Sequence, residues 1–231
     1  MSELLRQDSA ARIEPDENEL RQIIEMVIAE ARKQGVDQAE AVASHDIGLG
    51  ATARLGDVES LEYTNDRGMG VTVYKGQRKG SASTSDFRPA ALREAVEKAC
   101  SFANYTAADE CSGLADAELM ASGDFPDLDL RHDWNLTADK AIEMAVACED
   151  AARSFDSRIT NSEGATVSSN NGARAYGNTH GFLQSLAKTS HSVSCIVVGD
   201  ADGGMQRDYW FSAARDANDL ESVQQIGEKA A

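Results

Sequence analysis

Apolar positions recur with a helical period in three long stretches of this chain. In 17–34, ENELRQIIEMVIAEARKQ, the residues Leu20, Ile23, Ile24, Val27, Ile28 and Ala31 fall on one stripe. Pro15 and Asp16 open that helix and Gly35 closes it. In 88–104, RPAALREAVEKACSFAN, the buried side is Leu92, Ala95, Val96 and Ala99, and Pro89 is tolerated in the first turn. In 137–153, Thr137 or Asp139 stands at the start, and Ile142, Ala145, Val146 and the run Cys148–Ala152 supply the apolar side. A last helix begins near DLESVQQIGEKAA and reaches Ala231 without a cap.

Between these helices the period shortens to two. AEAVASHDIGLGATARLGDVESLEYTN reads as two or three strands with a turn at Gly56-Asp57. GMGVTVYKGQRKGSASTS reads as a hairpin with Val71 and Val73 on one face and Gly76 in the turn. RITNSEGATVSSNNGARAYGN reads as strands exposed on one face, with Asn170, Asn171 and Gly172 at a turn. SHSVSCIVVGDADGGMQRDYWFSAARD is a long hairpin around Asp202-Gly203. The order helix, strands, hairpin, helix is stated twice, which predicts an α+β fold of mostly antiparallel sheets with packed helices and a duplicated unit. The predicted divisions are a first α+β repeat at 1–106, an acidic connector at 107–136 where the period is lost, and a second repeat at 137–231.

Composition narrows the classes. At 231 residues with 42% hydrophobic and 26% charged positions, the chain is an ordinary globular one. The net charge of −17 repels a phosphate backbone, and the one dense basic patch, Lys75, Arg78 and Lys79, fits a solvated hairpin tip. The first residues lack the basic and apolar regions of an export signal, and no apolar run is long enough for a membrane span, so a cytoplasmic location is expected. Cys100, Cys111, Cys148 and Cys195 form no C-x-x-C pair and read as reduced thiols.

Candidate chemistry is sparse. Gly48–Ala53, GLGATA, fits the loose dinucleotide pattern, but strand and turn follow it where a helix N-terminus is needed. His191 and Cys195 lie roughly 13 Å apart along one strand, too far for a thiol–imidazole pair. Asp127, Asp129, His132 and Asp133 have metal-ligand chemistry, though an acidic connector carries such residues without an ion. GNTHGF supplies Asn178, His180 and Gly181 as candidate peptide- or partner-contact residues. The plain alternative there is a turn whose histidine bonds its own backbone. No H-E-x-x-H and no G-x-S-x-G occurs, and the four histidines stand far apart. Read from the residues alone, the chain is a binding or scaffolding unit, or part of something longer.

Five phrases in order, GVTVYKGQRKGSASTSDF, PDLDL, RITNSEGATVSS, GNTHGF and MQRDYWFS, resemble the N-terminal half of the PmbA (TldE) branch of the TldD/PmbA family, over about Glu17 to Ala231. The resemblance implies a cytosolic heterodimer with a TldD-like subunit, acting as a zinc-dependent peptidase on unfolded or extended peptides. It implies that the zinc belongs to the partner subunit, that this chain holds no cofactor and is inactive alone, and that a second domain would follow Ala231. It leaves catalytic and metal residues unassigned here. An older description of the family, modulator of DNA gyrase, supplies the alternative of a non-enzymatic adaptor.

Overall fold

The computed structural model describes residues 14–123, 125–201 and 203–231. The N-terminal stretch read for an export signal, and Asp202 of the expected Asp202-Gly203 turn, lie outside the described residues. The elements run α1 (Glu17–Lys33), β1 (Gln38–Arg54), β2 (Asp57–Lys75), β3 (Arg78–Thr84) and α2 (Pro89–Tyr105). After an irregular stretch come α3 (Ala138–Phe155), β4 (Ile159–Asn178), β5 (Leu183–Ala201), β6 (Gly204–Ala214) and α4 (Val223–Ala230). Helix starts follow their caps: the Asp16 carboxylate accepts the Asn18 N–H, Thr137 accepts from Lys140 N–H, and Ser222 with Gln225 forms a reciprocal capping box on α4.

The class is α+β as expected, but the strands form one six-stranded antiparallel sheet, in the order β3-β2-β1-β4-β5-β6, where several sheets were predicted. The join is β1 against β4, paired without a register shift from Glu40↔Asn178 to Ala53↔Ala165. The strands are also longer than the sequence pattern implied. The Asn170–Gly172 turn does not exist: these residues sit mid-strand in β4, opposite Gly48, Ile47 and Asp46 of β1. Gly172 is there for closeness, because a Cβ would stand 2.1 Å from Asp46 Oδ1. Likewise LEYTN and GMGVTVY belong to one strand, β2, rather than to a strand and a separate hairpin.

All four described α-helices pack on one face of this sheet, in two clusters. Toward one end, α1 and α2 cover Ala39, Ala41 and Ala43 of β1, Met69, Val71 and Val73 of β2, and Ala173 and Ala175 of β4. Toward the other, α3 and α4 cover Leu49, Ala51, Ala53, Ala165, Val167 and Val193. Alanine on the central strands lets the helices sit close, and the same closeness holds between helices: a Cβ on Gly227 of α4 would lie 2.4 Å from the Cys148 carbonyl of α3.

The β1–β2 turn shows how helix and sheet are locked. Leu55 and Gly56 have φ of 54° and 85°, as a two-residue hairpin turn of this hand requires. Their amides are held by the fully buried Glu149 of α3, whose oxygens accept from Leu55 N–H at 2.8 Å and Gly56 N–H at 2.9 Å. Each hydrogen bond to a charged group contributes about 1.5–3 kcal/mol, and leaving the amides unpaired adds to the loss. Glu149→Ala is therefore expected to destabilise the fold by at least about 3 kcal/mol. The solvent-exposed Glu143→Ala, which breaks only the Lys140 pair, is expected to change stability by less than about 1 kcal/mol. Urea-unfolding midpoints of the two variants check this.

Candidate functional site

Between the two clusters the inward face of the sheet turns polar. On β1 the sequence of inward positions is Ala39, Ala41, Ala43, then His45 and Ile47, then Leu49, Ala51 and Ala53. On β4 the interruption is Ser169 and Asn171, and on β5 it is Thr189 and His191. The ladders place these in register: Asn65–Ile47–Asn171–Thr189 form one row and Tyr63–Leu49–Ser169–His191 the next. A polar waist thus crosses four strands between two apolar cores.

The waist is internally bonded with few exceptions. His45 Nε2 meets Asn65 Oδ1 at 2.9 Å. The buried His191 donates from Nε2 to the His132 carbonyl at 2.9 Å, so its Nδ1 is the acceptor, 3.0 Å from the Ser169 hydroxyl. Trp134 stands edge-on to His191, with centroids 5.3 Å apart. Asn171 donates to Asp133 at 3.3 Å, but its own Oδ1 is buried with no hydrogen-bond partner. Beside these groups a half-open cavity of about 280 Å³ is walled by Ile47, Leu49, Tyr63, Trp134 and Leu136, with Glu14 and Asp133 at its edge. Arg131 engages both carboxylates, at 2.8 Å and 3.0 Å.

The opposite face of the sheet carries none of the described helices. It is lined by small polar residues, and hydroxyls pair across the strands: Thr52 with Thr166 at 2.9 Å, Ser168 with Ser192 at 2.8 Å, Thr72 with Ser81 at 3.0 Å. A shallow groove of about 810 Å³ crosses it over Ser44, Asp46, Gly68, Gly172, Arg174 and Lys188. At one end, the Glu40 carboxylate accepts from both Tyr74 and Tyr176 hydroxyls at 2.9 Å. The strand β6 is exposed from Gly204 to Phe211, with Tyr209 and Phe211 stacked at 6.4 Å on this same side.

The predicted contact residues form the β4–β5 turn. Asn178 is buried, and its Oδ1 accepts from His180 N–H at 3.1 Å and Phe182 N–H at 3.4 Å. Thr179 ties the turn to α1 and β1, its carbonyl accepting from Arg32 at 2.9 Å and its hydroxyl from Ala39 N–H at 3.1 Å. Gly181 has φ of 92° and His180 is exposed. Asn178 is thus the clamp of the turn, and His180 is its outward tip.

The other sequence candidates are dispersed. Gly48–Ala53 lies wholly within β1. Cys195 is fully buried in the second core beside Cys148; the hydrogen bond between them and burial push the Cys148 thiol well above its ordinary value, the same hydrogen bond lowers Cys195, and with no exposed surface neither thiol is open to a substrate. Asp127 accepts from Asp129 N–H, and His132 donates to the Asp129 carbonyl at 3.0 Å, so the connector residues satisfy one another. Among the described residues no three His, Cys, Asp or Glu side chains converge to hold a metal ion, and the residues present do not fit a metal centre. The sequence reading missed Tyr63, Trp134, Asn171 and His191 as a group. The available signal was three polar breaks at constant parity in otherwise apolar strand faces.

Two family descriptions match this chain: PmbA/TldA metallopeptidase domain 1 at residues 39–103, and PmbA/TldA metallopeptidase central domain at residues 131–231. The chain belongs to the PmbA/TldD family. It is 42% identical over 225 residues to the metalloprotease PmbA homolog of Haemophilus influenzae, covering 97% of this chain and 49% of that protein. It is also 42% identical over 191 residues to metalloprotease PmbA of Escherichia coli O157:H7, covering 83% and 42%. The chain thus spans about half the length of the curated relatives it matches. Among solved structures, a putative modulator of DNA gyrase from Bacteroides thetaiotaomicron aligns with TM-score 0.83 at 25% identity, covering 91% of this chain and 48% of that one. TldE from Thermococcus kodakarensis shares the fold, with TM-score 0.73 at 21% identity over 90% and 46%.

The tyrosine pair on Glu40 makes the open face sensitive to alkali. Burial, then the hydrogen bond to Glu40 and its charge, push the Tyr74 phenol from 10.0 up to about 12. A phenol raised in the folded state favours folding while it keeps its proton. That contribution is complete below pH 10 and is lost as pH climbs toward 12. Tyr74→Phe is expected to reduce the stability lost over that window and to remove the latest-titrating phenol from an absorbance titration at about 295 nm.

Proposed function

We propose that this chain is the N-terminal half of a PmbA/TldE-type subunit that helps to assemble and enclose a peptidase working on unfolded or extended peptides. The metal chemistry is assigned to a TldD-like partner, which holds the zinc in a heterodimer. The observation that carries this reading is the sheet face that no described helix covers, ending in the exposed β6, in a member of a metallopeptidase family. An extended peptide is read by main-chain hydrogen bonds to a strand edge and by shallow side-chain grooves. The open face offers both, and its charges, Asp46 against Arg174 and Lys188, are mixed.

Within this reading the two helix–three-strand–helix halves are a duplicated unit, divided as 1–106, 107–136 and 137–231. The exposed His180 at the β4–β5 turn, held by Asn178 and Gly181, is a contact for the partner or the peptide. No described helix is long and apolar enough to cross a membrane. The proposal sets the chain in the cytoplasm.

Reconstitution tests the assignment. The 231-residue chain alone is expected to hydrolyse no peptide and to bind no stoichiometric zinc. Full-length protein mixed with the TldD-like subunit is expected to cleave an unfolded polypeptide, with chelator-sensitive activity. Hydrolysis that persists without the partner would refute the division of labour. Recovery of gyrase but no TldD-like subunit in a pull-down would favour the adaptor alternative. His180→Ala is expected to weaken heterodimer or peptide affinity several-fold without altering the unfolding midpoint of the chain.

A further inference from the structure

The groove on the open face carries opposite charges toward its two ends. We propose that it binds short peptides of about three or four residues with both termini free, the amino group held at Asp46 and Asp66 and the carboxylate at Arg174 and Lys188. This rests on the peptide-handling reading above and adds to it a ligand class, a place and a direction.

The strand register puts the charges in order. One row across the sheet reads Asp66–Asp46–Gly172–Lys188, from β2 through β1 and β4 to β5. The next reads Gly68–Ser44–Arg174–Leu186. Residues directly paired in a ladder point to the same face, so carboxylates stand on the β1–β2 side and cations on the β4–β5 side of one groove. All four charged side chains are exposed, and none has a side-chain partner among the described residues. Cations elsewhere on the sheet are matched: Arg54 lies 3.7 Å from Glu59 and Arg207 lies 2.8 Å from Glu163. Arg67 also lines the groove, but it pairs with His45 of the helix-bearing face and stands over the Phe87 ring at 5.9 Å.

The spacing selects the length. Three strand steps separate Asp66 from Lys188, roughly 14 Å, and two separate Asp46 from Lys188, roughly 10 Å. An extended chain covers about 3.3–3.6 Å per residue, so three or four residues bring an amine and a carboxylate to the two ends together. A polyanion is disfavoured by the carboxylates in the same row, and a purely basic peptide leaves Arg174 and Lys188 unmatched. The floor admits a close approach. Gly68 and Gly70 lie within β2 with φ outside the left-handed region, and a Cβ on them would meet nothing nearer than 3.9 Å and 3.6 Å. Neither backbone geometry nor packing asks for glycine there, although glycine weakens a strand interior, and the bare backbone deepens the groove.

Calorimetric titration of this chain at low salt with Ala-Ala-Ala-Ala tests the site. The expected result is saturable binding that weakens as salt is raised. Acetylating the amine, amidating the carboxylate, or shortening the peptide to Ala-Ala is expected to weaken binding about five-fold, the most that an exposed ion pair contributes. Arg174→Gln is expected to weaken the free peptide by the same factor and to leave the amidated peptide unchanged. Asp46→Asn is expected to weaken the free peptide and to leave the acetylated one unchanged. Gly68→Ala is expected to keep or raise the Tm and to weaken every one of these peptides, because its methyl group stands in the groove.

No saturable binding of the free peptide, equal affinity for the free and the doubly blocked peptide, charge variants that act alike on free and blocked peptides, or unchanged affinity in Gly68→Ala overturns the proposal. The two readings fail separately. A complex that cleaves unfolded polypeptide while this chain ignores the free termini removes only the groove assignment. Terminus-dependent binding with no cleavage by any complex removes only the peptidase role.

Discussion

The ladder between β1 and β4 is the constraint on which the rest of this structure depends. It joins two half-sheets into one, and it runs from Glu40↔Asn178 to Ala53↔Ala165 without a shift. Strands of this length, up to 20 residues in β4, reach roughly 65 Å at about 3.3 Å per residue. A 17-residue helix such as α1 is only about 25 Å long. One helix pair cannot cover such a sheet, so two pairs are needed, and a gap is left between them. A one-residue slip in the ladder would turn β4's share of both cores and of the waist to the wrong face together. The same parity therefore serves both cores and the belt between them.

Local devices hold the sheet to its helices at its ends. Glu149 reaches from α3 to the β1–β2 turn, and Asp37 Oδ2 accepts from Gly76 N–H at 2.6 Å in the β2–β3 turn. The connector between the halves is also tied down: Asp109 N–H donates to the Gln77 carbonyl, Leu114 N–H to Gln38, and Thr189 N–H to the Leu130 carbonyl, each at 2.8–2.9 Å. Thr189 lies on the part of β5 before its pairing with β6 begins at His191, so the connector covers an otherwise unpaired edge there. It then brings Trp134 and Leu136 to the waist, which makes the link between the halves a wall of the cavity.

The helices and the class were legible because amphipathic periodicity and caps are local properties. The predicted stripe of α1 matches its buried residues one for one. Turns were less legible, since Asn and Gly in β4 look the same whether they reverse a chain or admit a neighbour. At Gly172 the neighbour is Asp46, 126 residues earlier in sequence, and no local window holds that contact. Glu149 was illegible for the same reason: it sits in a run read as apolar, and its partners are Leu55 and Gly56. The waist was partly legible. His45, Asn171 and His191 break the apolar alternation on three strands, but only the register shows that the breaks align.

An antiparallel face that no described helix covers, ending in an aromatic edge strand, invites pairing with further copies of itself. Two features oppose that here. The net charge of −17 makes every copy repel every other over about a Debye length, roughly 8 Å at physiological salt. Arg207 of β6 is held by Glu163 at 2.8 Å, placing a paired charge beside Tyr209 on the exposed side. Neither feature blocks a neutral or basic extended chain, for which the same edge stays open and the same field is attractive. Under the proposed peptide handling, self-association and capture would use the same backbone groups, so selectivity between them would have to come from long-range charge. On that argument acidity is what lets such a surface remain both soluble and available, and its discrimination should fade as salt is raised.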